Sequence, residues 1–134
     1  MELQVGVKVF LKNKENKYLL LQRSSKYSHI AGMWDIPGGR INHGSELLVN
    51  LKREVIEETG LSLQNEPVLL LAQDIFPKDG KKHIVRLTYK GLANGEPKLD
   101  DEHAAYGWFD LRELANLENL DLYTKKVIDE GLLA

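Results

Sequence analysis

The chain predicts an α/β layered domain built around a mixed sheet. Three observations carry this: short apolar or alternating runs on both sides of one long amphipathic segment, Gly, Pro and Asn turn signals between those runs, and helical periodicity again at the C-terminal end. The 134 residues are read as one domain, 1–134, long enough to bury a core and too short for a second.

In chain order, Val5, Val7 and Val9 alternate with Gly6, Lys8 and Phe10, the period of a strand with two different faces. Asn13 to Lys17 is a polar turn, and Tyr18 to Arg23 a second strand that completes a hairpin, with Arg23 at its end. Residues 24–38 read as loop, closing on Trp34-Asp35-Ile36-Pro37-Gly38-Gly39. Pro37 fixes its own φ and restricts Ile36, and the glycines permit backbone that brings amides or carbonyls close to a neighbour. A helix is expected from near Ser45 to a glycine stop at Gly60. Its stripe of Leu48, Leu51 and Val55, with Val49 and Ile56 a quarter turn further round, predicts packing on two sides with only the glutamate edge in solvent. Val68 to Ala72, reaching toward Ile75, reads as a buried strand and Ile84 to Tyr89 as its hairpin partner across the turn Pro77 to Lys82. Asn94 to Pro97 is a turn, Asp100 to His103 an acidic loop and Tyr106 to Phe109 a short strand. Leu111 to Leu114 and Leu120 to Leu133 are expected as a short and a longer helix.

Composition excludes several function classes. With 18 basic and 20 acidic residues and a net charge of −2, the chain lacks the basic footprint of a protein that coats nucleic acid, so no nucleic-acid polymer is expected as partner. Absence of cysteine removes disulfides, thiolate nucleophiles and thiolate metal sites, and fits a reducing compartment. The N-terminus has no basic region followed by an unbroken apolar segment, and Val68 to Ala72 is far too short to span a bilayer. A cytoplasmic protein without signal peptide or membrane partner is the expectation. The sequence is compatible with a homodimer and does not specify one.

The chemistry lies in Arg53-Glu54-Val55-Ile56-Glu57-Glu58. At about 100° per helical residue, Glu57 falls about 60° to one side of Glu54 and Glu58 about 40° to the other. Three like charges on one face weaken a helix unless a cation neutralises them. Oxygen-only ligands suit Mg²⁺ or Mn²⁺ better than Zn²⁺. A solvated charged face is the bland alternative, and the spacing of Gly39 and Gly60 around the glutamates outweighs it.

The run from Gly39 to Leu61 resembles the signature of the Nudix hydrolases: Gly39 opens it, and Arg53, Glu54, Val55, Glu57, Glu58, Gly60 and Leu61 fill its end. Trp34 to Gly38, Arg23, and Glu102-His103 ahead of Tyr106 to Phe109 agree with the wider layout of that family. One position departs: Ser45 stands where the family usually has its first glutamate, and Glu46 follows one place later. A one-residue slip rotates a side chain by about 100°, so Glu46 does not simply replace it. Ser45 is instead a candidate N-cap.

The resemblance implies an α/β/α sandwich around a mixed sheet and Mg²⁺-dependent hydrolysis of a nucleoside diphosphate linked to another group, with Mn²⁺ as a substitute. It implies Glu57 and Glu58 as principal metal ligands, Glu54 as a further ligand or proton acceptor, and the Gly39 carbonyl as another contact. Arg53 would pair with a glutamate of the signature and fix its rotamer. Glu102 is the first choice for a later acidic ligand or general base, ahead of Asp101 and Asp100. Read from the residues alone, Arg23 is suited to clamp a phosphate through its planar guanidinium. Trp34, Tyr27, His29 and Phe76 are candidates for stacking on a base, although packing is the more common use of a residue such as Trp34. Arg86 reads as a sheet-face ion pair. The expected substrate is a small nucleotide, leaning to an ordinary or oxidised nucleoside triphosphate. ADP-ribose, nucleotide sugars and dinucleoside polyphosphates stay open, because the signature handles the diphosphate and loops handle the rest. A nucleotide-binding module without catalysis, favoured by Ser45 alone, and an isomerase on the same scaffold are the competing classes.

Overall fold

A computed structural model describes residues 1–26 and 30–133. The strands are β1 (Glu2–Lys12), β2 (Tyr18–Arg23), β3 (Trp34–Asp35), β4 (Gly38–Arg40), β5 (Val68–Ile75), β6 (Lys82–Leu92) and β7 (His103–Phe109). The helices are α1 (Leu47–Thr59), between β4 and β5, then α2 (Leu111–Ala115) and α3 (Leu122–Asp129).

Among the described residues the strands make one mixed sheet in the order β3-β2-β1-β6-β5, with β4 added to β1 and β7 to β2. Strand β1 is its axis. It runs parallel to β6 from Glu2↔Lys82 to Lys12↔Leu92, whereas its other edge is shared between β2 at Lys12↔Tyr18 and β4 at Gly6↔Arg40 to Lys8↔Gly38. The first hairpin therefore forks beyond its turn, and β3 and β4 fill the fork. That fork brings the Gly38–Gly39 backbone against β1.

Alternation along the strands decides the layers. Val7, Val9 and Leu11 of β1, with Leu19 and Leu21 of β2, face Leu51 and Val55 of α1. Phe10, Tyr18 and Leu20 point the opposite way, toward Leu114 of α2 and Val127 of α3. Each fully buried aliphatic side chain stabilises the fold by about 1.5–3 kcal/mol. The result is the expected α/β/α arrangement.

Several local expectations are corrected. Helix α1 starts at Leu47, with Glu46 rather than Ser45 at the N-cap and no side-chain cap hydrogen bond. Ser45 instead closes a turn, its N–H donating to the Asn42 carbonyl at 3.0 Å. Val49 and Ile56 are 59% and 53% exposed, so α1 packs on one side only. Val68 and Leu69 are exposed as well, because β5 lies at the end of the strand order. The loop before the glutamate helix contains β3 and β4, and His103 opens β7 rather than ending the acidic loop. The last helix is trimmed to Leu122–Asp129, where the Asp121 carboxylate caps it by accepting from the N–H groups of Tyr123 and Thr124. The glycine stop is as expected: Gly60 has φ 70° and its N–H donates to the Ile56 carbonyl.

Gly38 has φ 141°, and a Cβ there would lie 2.0 Å from the Val7 carbonyl oxygen. Gly38→Ala is accordingly expected to lower stability by well over ~1 kcal/mol, read as an earlier denaturant midpoint at unchanged slope.

Candidate active site

The fork opens into a cleft of about 740 Å³ whose walls include Lys8, Arg23, Asp35, Gly38, Gly39, Arg40, the α1 glutamates and the acidic turn before β7. Glu54, Glu57 and Glu58 all reach it, as do Asp100, Asp101 and Glu102. The pairing of β2 with β7, which sets Arg23 opposite His103, brings the acidic turn to the same cleft.

The three glutamates occupy different environments. Glu57 is 55% exposed, and both its oxygens accept from Arg53 Nη1 at 3.0 Å. Glu54 accepts from Arg53 Nη2 at 3.3 Å and lies against the backbone of Gly39, where a Cβ would meet its carboxylate oxygens at 3.1 Å. Gly39 therefore allows the carboxylate to approach the main chain. Glu58 is only 7% exposed; its Oε2 accepts from the Gly38 N–H at 3.1 Å, and its Oε1 lies 3.8 Å from His103 Nε2. Burial pushes the Glu58 carboxyl up to about 8, opposed by Lys8 and reinforced by the negative charge of Glu54. His103 Nδ1 lies 2.7 Å from Asp100 Oδ1, and burial pulls the His103 imidazole down against the pull of Asp100.

These groups fit a hard divalent ion in donor type. A desolvated carboxylate held toward its neutral form, with a second carboxylate close by and a backbone left open by glycine, is an arrangement that a cation relieves. Among the described residues no three His, Asp or Glu side chains already converge as a metal cage. Arg53 bridges Glu54 and Glu57.

Arg53 is itself aimed by a residue that the sequence reading passed over. Asn50 is fully buried, and its Oδ1 accepts from Arg53 Nη2 at 3.0 Å and from the Asn42 N–H at 3.1 Å. A polar residue three positions before Arg53, within the apolar stripe of the helix, was the available signal.

The cleft continues over a buried charge network that was also missed. Lys8 Nζ lies 3.3 Å from Asp35 Oδ2 and donates to the Ile36 carbonyl at 3.2 Å. Arg86 donates to Asp35 at 3.2 Å, to Asp121 at 3.1 Å and to Thr124 Oγ1 at 2.6 Å. Arg86 is thus the sheet-face ion pair expected, and it is buried. Burial opposes ionisation of Asp35, yet Lys8 and Arg86 hold its carboxyl well below the usual carboxylate range.

Arg23 Nη1 lies 3.7 Å from Glu102 Oε2, so the candidate phosphate clamp and the candidate base share one end of the cleft. Trp34 is not among the lining residues: it packs edge-on against Phe109 with ring centroids 5.4 Å apart. Phe76 is exposed and stacks on His83. Tyr27 and His29 lie outside the described residues. Ser45 and Glu46 do not line the cleft.

Comparison with known proteins agrees with this architecture. The family model described as NUDIX domain matches residues 2–130. The chain is 30% identical over 129 residues to the nucleoside triphosphatase NudI of Escherichia coli K12, covering 89% of this chain and 91% of NudI. It is also 30% identical over 129 residues to the 8-oxo-dGDP phosphatase NUDT18 of Danio rerio, covering 96% of this chain but only 37% of that longer protein. The crystal structure of a MutT protein from Methanosarcina mazei Go1 superposes with a TM-score of 0.85 at 27% identity, over 96% of this chain and 92% of that one.

Proposed function

This chain belongs to the NUDIX family, hydrolases of phosphoric anhydride bonds, and on that premise we propose that it cleaves a nucleoside triphosphate or similarly small nucleotide with the help of Mg²⁺, or Mn²⁺ in its place. One observation carries the reading: Glu54, Glu57 and Glu58 line the same cleft as Arg23 and Glu102, so oxygen ligands for a cation and a cation for phosphate face one volume. The activity by which NudI is named, in a relative matched over 91% of its length, favours a nucleoside triphosphate. An oxidised nucleoside diphosphate, the substrate class in the name of NUDT18, is the second reading. The enzyme is proposed to act as one cytoplasmic domain on a small nucleotide. Among the described residues no helix is long and apolar enough to cross a membrane.

Glu57, Glu58 and Glu54, with the Gly39 carbonyl, would hold the ion. Such an ion would neutralise phosphate oxygens and lower the pKa of water. Arg23 binds a non-bridging phosphate oxygen through its guanidinium fork, and Glu102 takes the proton of the attacking water or supplies a further ligand. Arg53 keeps Glu54 and Glu57 in place, itself held by Asn50. Intact glutamates argue against a binding module without catalysis, which has little use for three repelling carboxylates.

A panel of ordinary and oxidised nucleoside di- and triphosphates, ADP-ribose, nucleotide sugars and dinucleoside polyphosphates, assayed with Mg²⁺, tests the proposal. The expected result is highest kcat/KM on a mononucleotide, with the released fragments showing which phosphate is attacked. Preference for ADP-ribose or a nucleotide sugar would overturn the substrate reading, and tight binding without turnover on any member would overturn the enzymatic one.

A further inference from the structure

We infer that His103, oriented by Asp100, is a positioning residue for the Glu58 carboxylate and sets how tightly the carboxylate site takes a divalent cation. The inference rests on the metal-dependent reading above. It concerns a side chain that neither the carboxylate spacing nor the charge of the cleft requires.

Three observations carry it. Glu58 is enclosed, and its two oxygens meet different elements: the Gly38 N–H of β4 on Oε2 and the His103 ring of β7 on Oε1. The ring is only 5% exposed and presents both nitrogens to carboxylates, Nδ1 at 2.7 Å from Asp100 and Nε2 at 3.8 Å from Glu58. A residue serving only to pack β7 has no need of two polar partners in a desolvated site, where each unpaired polar group is costly. The backbone supplies the third observation. The β2·β7 ladder pairs Gln22 with Ala105 and Arg23 with His103, passing over the exposed Ala104. An irregularity of this kind re-aims the flanking side chain, and it turns His103 inward at the end of its strand.

The chemical logic is that of an outer partner fixing a ligand. A carboxylate that swings freely loses orientation when it must meet a cation, and hydrogen-bonded or electrostatic partners behind it reduce that loss. At 3.8 Å the contact is longer than a hydrogen bond, and the enclosed ring stands behind Oε1 and limits where it moves. Asp100 in turn fixes the ring plane, engaging Nδ1 and leaving Nε2 toward Glu58. Arg23 and Lys8 are the cations whose charge also reaches the ring.

The test measures Mn²⁺ affinity by the electron paramagnetic resonance signal of free Mn²⁺, on the full chain without nucleotide, beside metal-free thermal unfolding. His103→Leu keeps comparable apolar bulk and removes both nitrogens; it is expected to weaken Mn²⁺ binding by about 10–100-fold. His103→Gln places an amide nitrogen near the Nε2 position and is expected to recover most of that loss. His103→Asn replaces only the Nδ1 contact and should bind Mn²⁺ more weakly than His103→Gln, a comparison that remains if His103→Leu does not fold. Parent-like affinity in His103→Leu, or equal affinity in His103→Gln and His103→Asn, overturns the positioning role. A parent protein that takes up no Mn²⁺ instead overturns the metal-dependent reading, and this inference with it.

Discussion

Glu57→Gln is expected to lower kcat by about 10²–10⁴-fold, because it removes one charged oxygen from the face proposed to hold the ion and costs several kcal/mol of transition-state stabilisation. Folding should scarcely register the change. Glu57 is 55% exposed and its partner Arg53 is also in contact with solvent, so solvent screens the pair and it contributes little to stability. Glutamine still accepts from Arg53 Nη1, and the repulsion between Glu57 and Glu54 is relieved. Thermal unfolding without metal, set beside steady-state kinetics with Mg²⁺, separates the two effects. Loss of activity and fold in the same proportion would count against the role given to Glu57.

Asp35→Asn is expected to do the reverse, costing about 3–5 kcal/mol of stability, as removal of one member of a buried ion pair does. Asp35 bridges Lys8 and Arg86, and all three side chains are largely enclosed. An amide neutralises neither cation, and Lys8 keeps the Ile36 carbonyl as a neutral acceptor. The same residue gives a pH signature. Its folded pKa lies below the ordinary 3.8, so its contribution is fully present above that value and is lost as pH falls through it toward the folded pKa. In urea titrations the parent should therefore lose stability more steeply below about pH 3.8 than Asp35→Asn, whose deficit is largest near neutrality. Parallel pH profiles would show that Asp35 is not the group responsible.

The ion-pair network also marks where sequence reading stops. Lys8 is one polar residue in an alternating strand, Asp35 sits in a loop-like stretch, Arg86 lies in a β-run and Asp121 precedes a helix. None carries a local signal of the others. Their meeting depends on β1 lying parallel to β6, so that Gly6 pairs with Arg86, and on Trp34 exchanging backbone hydrogen bonds with Asn119 and Asp121. His103 is a similar case, buried because of a ladder irregularity that no residue pattern announces. Val49 and Ile56 fail in the opposite sense: apolar character predicted burial, but the sheet covers only one side of α1. Apolar side chains exposed singly are common on folded proteins, which is why the inference from type to burial runs poorly in that direction.

What the sequence determined by itself is the glutamate helix with its glycine bounds, and from it the family and the three carboxylates facing one way. Helical period and glycine backbone are local properties, fixed by a few adjacent residues. Only the tertiary structure decided how those carboxylates differ, with Glu57 in solvent beside Arg53 and Glu58 enclosed beneath Gly38 and His103. Desolvation and long-range charge set that difference, and both depend on which distant strands are brought together around the fork.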